Sequence, residues 1–123
     1  MDESLITEII IGKCIDLHKS FGPGLLESAY LECLYFDLKE VGLKVRKEVA
    51  LPLIYKEIKL EKGYRIDLLV EEQVVVELKC VEAFSPVHEA QILTYMKLGG
   101  FSTGLMINFQ VKMLKEGIKR YKI

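Results

Sequence analysis

Cysteine is scarce in this chain and never paired. Cys14, Cys33 and Cys80 are the only three, the count is odd, and no CxxC spacing occurs. Neither a disulfide framework nor a zinc site is therefore indicated, and a reduced, cytoplasmic protein is expected. No apolar run reaches the roughly 18 to 20 residues that a membrane span needs, so no membrane partner is expected. Asp2, Glu3 and Glu8 stand where a secretory signal would carry a basic n-region. A glycine-rich phosphate loop is missing, as is any plausible Ser-His-Asp set, which argues against P-loop chemistry and triad hydrolysis. Internal repeats, low-complexity tracts and linkers are also missing. One domain over residues 1–123 is the expectation. Half of the residues are hydrophobic, so a core can be built and disorder is not expected.

Strong net charge is lacking too. The formal value is −1, which by itself argues against a nucleic-acid partner. The distribution is uneven. Residues 1–43 sum to −5 and residues 44–123 to +4, with Lys112, Lys115, Lys119, Arg120 and Lys122 concentrated in the tail. Such a strip can follow a phosphate backbone. The other reading is an ordinary solvated lysine face, and charge alone favours it.

The patterns that are present predict an α/β fold. Leu5, Ile6, Ile9, Ile10 and Ile15 recur at helical spacing over about residues 4–19, with Ser4, Thr7 and Glu8 offering a cap. Phe21-Gly22-Pro23-Gly24 breaks that helix, and a second runs over about residues 25–41 until Gly42 stops it. Lys44 to Tyr55 reads as extended, with Pro52 marking an edge or irregularity, and Ile58 to Leu60 continues the meander. Ser85 and Pro86 open a third helix that Gly99-Gly100 closes. Thr103 to Phe109 reads as a buried strand. A short helix from Lys112 to Glu116 and a last edge strand, Ile118 to Lys122, follow. The core order is ααβββαβ.

The chemistry concentrates in one predicted hairpin. Tyr64-Arg65-Ile66-Asp67-Leu68-Leu69-Val70 and Val74-Val75-Val76-Glu77-Leu78-Lys79 flank a polar Glu71-Glu72-Gln73 turn. With Val70 opposite Val74, Asp67 falls opposite Glu77, and alternation puts Glu77 and Lys79 on one face. Two facing carboxylates repel unless a cation lies between them, and hard oxygen donors beside a lysine suit Mg²⁺. The competing reading is a soluble charged stripe on an antiparallel sheet. Further along, His88, Gln91 and Tyr95 share one face of the third helix.

The triple Asp67, Glu77, Lys79 has the spacing D-x(9)-E-x-K, which resembles the PD-(D/E)XK nuclease superfamily. Gly24-Leu25-Leu26-Glu27-Ser28-Ala29-Tyr30 reads GxxExxY. With His18 and Phe21-Gly22-Pro23 before it, and Pro86 to Gln91 and Leu105 to Phe109 after, the chain resembles the GxxExxY protein family of that superfamily from about Ile9 to Arg120. The resemblance implies a restriction-endonuclease-like core: a mixed sheet of order ααβββαβ with flanking helices. It implies a metal-dependent nuclease acting on DNA or RNA. Asp67 and Glu77 would hold Mg²⁺ or Mn²⁺ with help from Glu27 and the Leu78 carbonyl, and Lys79 would be catalytic. Gln91-x-x-x-Tyr95 resembles a QxxxY motif that supports the active site and contacts nucleic acid. Tyr30 could orient Glu27 or pack in the core, and His88 could meet a phosphate or serve structure. The alternative function is a non-cleaving or partner-dependent nucleic-acid-binding module on the same fold. An exposed edge near Pro52 or the final strand could pair two copies as a homodimer.

Overall fold

The computed structural model describes residues 1–123. Two helices come first, α1 (Glu3–Phe21) and α2 (Glu27–Glu40). Strands β1 (Val45–Ala50), β2 (Leu53–Tyr55), β3 (Ile58–Leu60), β4 (Arg65–Val70) and β5 (Val74–Lys79) follow. Helix α3 (Pro86–Gly99), β6 (Thr103–Asn108), a single 3-10 turn (Leu114–Gly117) and β7 (Ile118–Lys122) complete the chain. Five strands form one mixed sheet in the order β1-β4-β5-β6-β7, with only β5 and β6 parallel. Parallel neighbours need a crossover, and α3 supplies it. This is the α/β arrangement of the restriction-endonuclease-like core.

The sheet is buried on both faces, which is why β5 and β6 read as near-continuous apolar runs. On one face Leu68, Val70, Val74, Val76 and Leu78 pack against Ile6, Ile10, Leu34 and Leu38 of α1 and α2. On the other, Ile66, Leu69, Val75 and Met106 pack against Ile92, Tyr95 and Met96 of α3. Gly104 makes the second contact close. A Cβ there would lie 2.7 Å from the Met96 sulfur, so any larger residue would require the Met96 side chain to shift.

Several local expectations are revised. Ser4 does not cap α1. Asp2 does, its carboxylate accepting from the Leu5 N–H at 2.9 Å, because α1 begins at Glu3, ahead of the first apolar position. The meander also breaks earlier than expected. Pro52 has no N–H to give the ladder, β1 stops at Ala50, and β2 and β3 form a separate two-stranded sheet. The order ααβββαβ holds for the main sheet up to β6, with β7 added as its outer strand. The β4–β5 turn is as expected, with Val70 paired to Val74 and the Gln73 N–H donating to Val70 O at 3.0 Å. Glu71 (φ 55°) and Glu72 (φ 53°) adopt the left-handed conformations of a type I′ turn. Their carboxylates are tied down, Glu71 by the Lys44 N–H at 2.6 Å and Glu72 by Arg46 at 2.7 Å.

Candidate active site

Asp67 and Glu77 meet through their backbones as well as their charges. The regular β4–β5 ladder ends at Leu68 and Val76. Beyond it the two carboxylates replace the missing ladder bonds. The Asp67 N–H donates to Glu77 Oε2 at 2.7 Å, and the Leu78 N–H donates to Asp67 Oδ2 at 2.8 Å. Each acid thus holds the other's strand, and the pair is fixed in place without a third group.

A kink in the neighbouring strand accompanies this. The β1–β4 pairing skips one position, Glu48 opposite Asp67, and resumes at Val49 and Ile66 with the register unchanged. Glu48 has φ 52°, a left-handed conformation that a non-glycine residue adopts at a cost on the order of 1 kcal/mol. The face alternation inverts across the kink. Val45, Leu68 and Val70 belong to the α1/α2 core, whereas Val49 and Ile66 pack on the α3 side. Neither Glu48 nor this inversion was foreseen, since a matched irregularity in two strands leaves no mark on the period of either one alone.

Burial and mutual repulsion disturb both acids. Glu77 is only 4% exposed. Burial raises its pKa to about 8, with the Asp67 charge as the second cause; the Asp67 N–H and Lys79 pull the other way. Asp67, half-buried, is raised to about 6. Burial is the largest cause, the Leu78 N–H opposes it, and the charges of Glu27 and Glu48 add to the rise. Two desolvated carboxylates with too little positive charge nearby are a donor set suited to a hard divalent cation.

The remaining predicted residues fall into two groups. Lys79, half-buried at the end of β5, faces the pair closely enough that its charge lowers both carboxyl pKa values. Glu27 opens α2, is exposed, and acts on both acids through its charge. No three His, Cys, Asp or Glu side chains come together as a set able to hold a metal, so Glu27 is not drawn into one cluster with Asp67 and Glu77. From α3, Tyr95 is buried, and its hydroxyl pKa is raised by burial first and then by the charges of Glu77 and Asp67. Gln91, one turn earlier on α3 and exposed, lines the same cleft as Tyr95, so the i, i+4 pair shares the edge of the site.

Two residues serve the scaffold instead. The Tyr30 hydroxyl donates to Gly22 O and accepts from the Leu25 N–H at 3.2 Å, and the ring stacks on Phe109 at 4.1 Å. Tyr30 therefore pins the Gly22 to Leu25 turn rather than Glu27. His88 forms a capping box with Ser85: its Nδ1 accepts from the Ser85 N–H at 3.1 Å while its own N–H donates to Ser85 Oγ at 3.2 Å. The cap takes Nδ1 and leaves Nε2 with the proton, so the ring does not offer a free base. His18 is likewise structural, its Nε2–H donating to Val111 O at 2.8 Å. Burial raises the Cys80 thiol, which disfavours a thiolate nucleophile there.

Asn108, which the sequence did not single out, clamps the far side of the site. It is 2% exposed. Its Oδ1 accepts from the Val81 and Gln110 N–H groups at 3.1 and 3.0 Å, and its Nδ2 donates to Val81 O at 2.7 Å. The adjacent Phe109 N–H donates to Lys79 O at 2.9 Å. The end of β5 that carries Lys79 is thereby locked to β6. A sequence model of the PD-(D/E)XK nuclease superfamily matches residues 4–121. No curated protein and no solved structure matches the chain.

Proposed function

Because the chain belongs to the PD-(D/E)XK nuclease superfamily, we propose that it is a metal-dependent phosphodiesterase of nucleic acid with Asp67, Glu77 and Lys79 at its centre. The observation that carries the reading is the reciprocal clamp of Asp67 and Glu77, with both carboxyl pKa values raised by burial. A buried, mutually repelling pair is poorly explained as a solubility device and well explained as half of a cation site.

The donor set fits Mg²⁺ or Mn²⁺. Mg²⁺ is commonly held by one or two carboxylates and keeps several waters, so two protein acids suffice. Asp67 and Glu77 would hold the ion, and Glu27 would act beyond them through water. When bound, the ion supplies Lewis acidity toward the phosphate and lowers the pKa of the attacking water. Lys79 contributes its ammonium to the charge that builds on the phosphate oxygens, where a fixed cation acts most strongly. Gln91 and Tyr95 border the site from α3, and Asn108 and Phe109 keep the Lys79 backbone in place. In the net reaction water adds to phosphorus, the P–O bond to the leaving sugar oxygen breaks, and that oxygen takes a proton.

The test is cleavage of single- and double-stranded DNA and RNA with Mg²⁺ or Mn²⁺, comparing the protein with Asp67→Asn, Glu77→Gln and Lys79→Ala. Metal-dependent cleavage lost in all three is the expected result, with a rate loss of about 100-fold or more for Lys79→Ala. Undiminished cleavage in the three folded variants overturns the assignment. Metal-independent binding without cleavage moves the protein to the binding-module reading.

A further inference from the structure

An apolar groove opens beside the candidate site. It measures about 320 Å³ and is lined by Leu53, Tyr64, Val87, Gln91, Tyr95 and Leu98, among others. That is the lower end of the range for small-molecule clefts, room for a planar ring but not for a nucleic-acid helix. Two of its walls are aromatic, with the Tyr64 and Tyr95 rings 6.4 Å apart and inclined at 58°. Nothing in the fold covers it. At its rim Val87 is 74% exposed, and on the β2–β3 hairpin that supplies Leu53 the side chains of Ile54, Tyr55 and Ile58 are each more than half exposed; exposed apolar surface of this kind marks an interaction site.

We infer that this groove takes an unstacked nucleobase next to the scissile phosphate, so that the enzyme acts on single-stranded nucleic acid or on unpaired ends. The inference rests on the nuclease reading and names its substrate class. Two observations choose this occupant. The first is continuity: Tyr95 lines the groove while its hydroxyl senses the charges of Glu77 and Asp67, and Tyr64 lies three residues before Asp67. A base in the groove therefore places its own phosphate toward the carboxylates. The second is charge. Lys56, Lys59, Lys62 and Arg65, all exposed, outnumber Glu57 and Glu61 on the hairpin segment beside the groove. Only Lys59 is drawn to an acid there, Glu61 at 3.7 Å. Aromatic walls with a cationic border are the features by which proteins hold single strands, the rings stacking on bases and the cations following the backbone. Pairing buries the faces of bases in a duplex, so a duplex cannot offer one to the groove without local opening.

The chain contains no tryptophan, so Tyr64→Trp places the sole tryptophan at the groove wall, and its emission can be excited apart from that of the remaining tyrosines. Single-stranded oligonucleotides of DNA and of RNA are titrated into this variant with Ca²⁺ present, and a blunt duplex is titrated in parallel. Quenching by the single strands, at concentrations at least about tenfold below any effect of the duplex, is expected. Tyr64→Ala should weaken single-strand binding by roughly 5- to 150-fold, the range for one lost base–aromatic stack, and Tyr64→Phe should restore it. An oligonucleotide with one abasic position should bind Tyr64→Ala and the unsubstituted protein alike. Whichever of DNA and RNA quenches at the lower concentration identifies the sugar. Equal binding of duplex and single strand, or no effect of Tyr64→Ala on binding by a variant of unchanged melting temperature, overturns the base site. In that case the nuclease reading survives if Lys79→Ala still abolishes cleavage. Quenching without cleavage of any substrate supports the base site and overturns the nuclease reading. A shift from dimer to monomer on Tyr64→Ala, measured by sedimentation, assigns the groove to a second copy and overturns the proposal.

Discussion

Glu77 contributes a hydrogen bond to the fold and a charge against it. The bond from the Asp67 N–H at 2.7 Å needs only an oxygen acceptor, which a glutamine also supplies. The charge is held in a site that raises its pKa to about 8. For an acid with a raised pKa the folded state binds the proton more tightly than the unfolded state. Stability is therefore full below the unfolded value, near 4.3, and falls as pH rises toward the folded value. Metal-free protein should lose on the order of 2–4 kcal/mol of stability between pH 5 and pH 9, with Asp67 titrating in the lower part of that window. Glu77→Gln should flatten the dependence and melt higher than the unsubstituted protein at pH 9 without metal; denaturant melts at the two pH values check both. Alanine is the wrong probe at these positions. Asp67→Ala strands the Leu78 N–H and should cost about 1–3 kcal/mol, whereas Asp67→Asn should keep the strand joined while losing metal affinity.

Elements hold these residues in place through their ends. The start of α3 is set by Ser85 and His88, whose reciprocal bonds satisfy donors that would otherwise be unpaired. Ser85→Ala should cost about 1 kcal/mol, and a double-mutant cycle with His88→Ala should show the two losses to be less than additive. Such coupling is expected of a cap and not of a phosphate-binding histidine. The end of β5 depends on Asn108 in the same way. Asn108→Ala leaves three backbone bonds unmade around Val81 and Gln110, and should lower both stability and cleavage rate, the latter by loosening Lys79. The β2–β3 hairpin contrasts with both. It pairs only with itself, and Ile54 to Lys59 are exposed. Limited trypsin digestion should cut first at Lys56 or Lys59 and leave the main sheet folded.

On the scale of the molecule, a central sheet buried on both faces carries its charged pair where β4 and β5 separate. Metal binding would couple that site to global stability. A cation that binds only the folded protein raises its stability by about 2.7 kcal/mol at a hundred times its dissociation constant. Mn²⁺ should therefore raise the melting temperature in a concentration-dependent way at pH 8, and Asp67→Asn should abolish the rise. The basic tail, which charge alone reads as an ordinary solvated lysine face, is partly neutralised by the fold. Lys119 pairs with Glu89 at 2.5 Å, Lys122 with Glu3 at 2.9 Å, and Arg120 donates to Thr7. Less of its charge remains for a polyanion than the residue count suggests.

Local rules made much of this legible in the sequence. Alternation and a polar turn set Val70 against Val74, and from that register follows the nearness of Asp67 to Glu77. Ser85-Pro86 announced α3, and Gly42 announced the end of α2. Each depends on residues a few positions apart, where periodicity and turn chemistry act. Tertiary structure decided the rest, because the partners lie far apart in the chain. Tyr30 stacks on Phe109, His18 bonds to Val111, and Asn108 secures Val81. The kink that leaves Glu48 unpaired opposite Asp67 exists only once β1 lies beside β4. Which polar side chains face chemistry and which hold the frame is settled by what surrounds each donor and acceptor, and the packed chain alone supplies those surroundings.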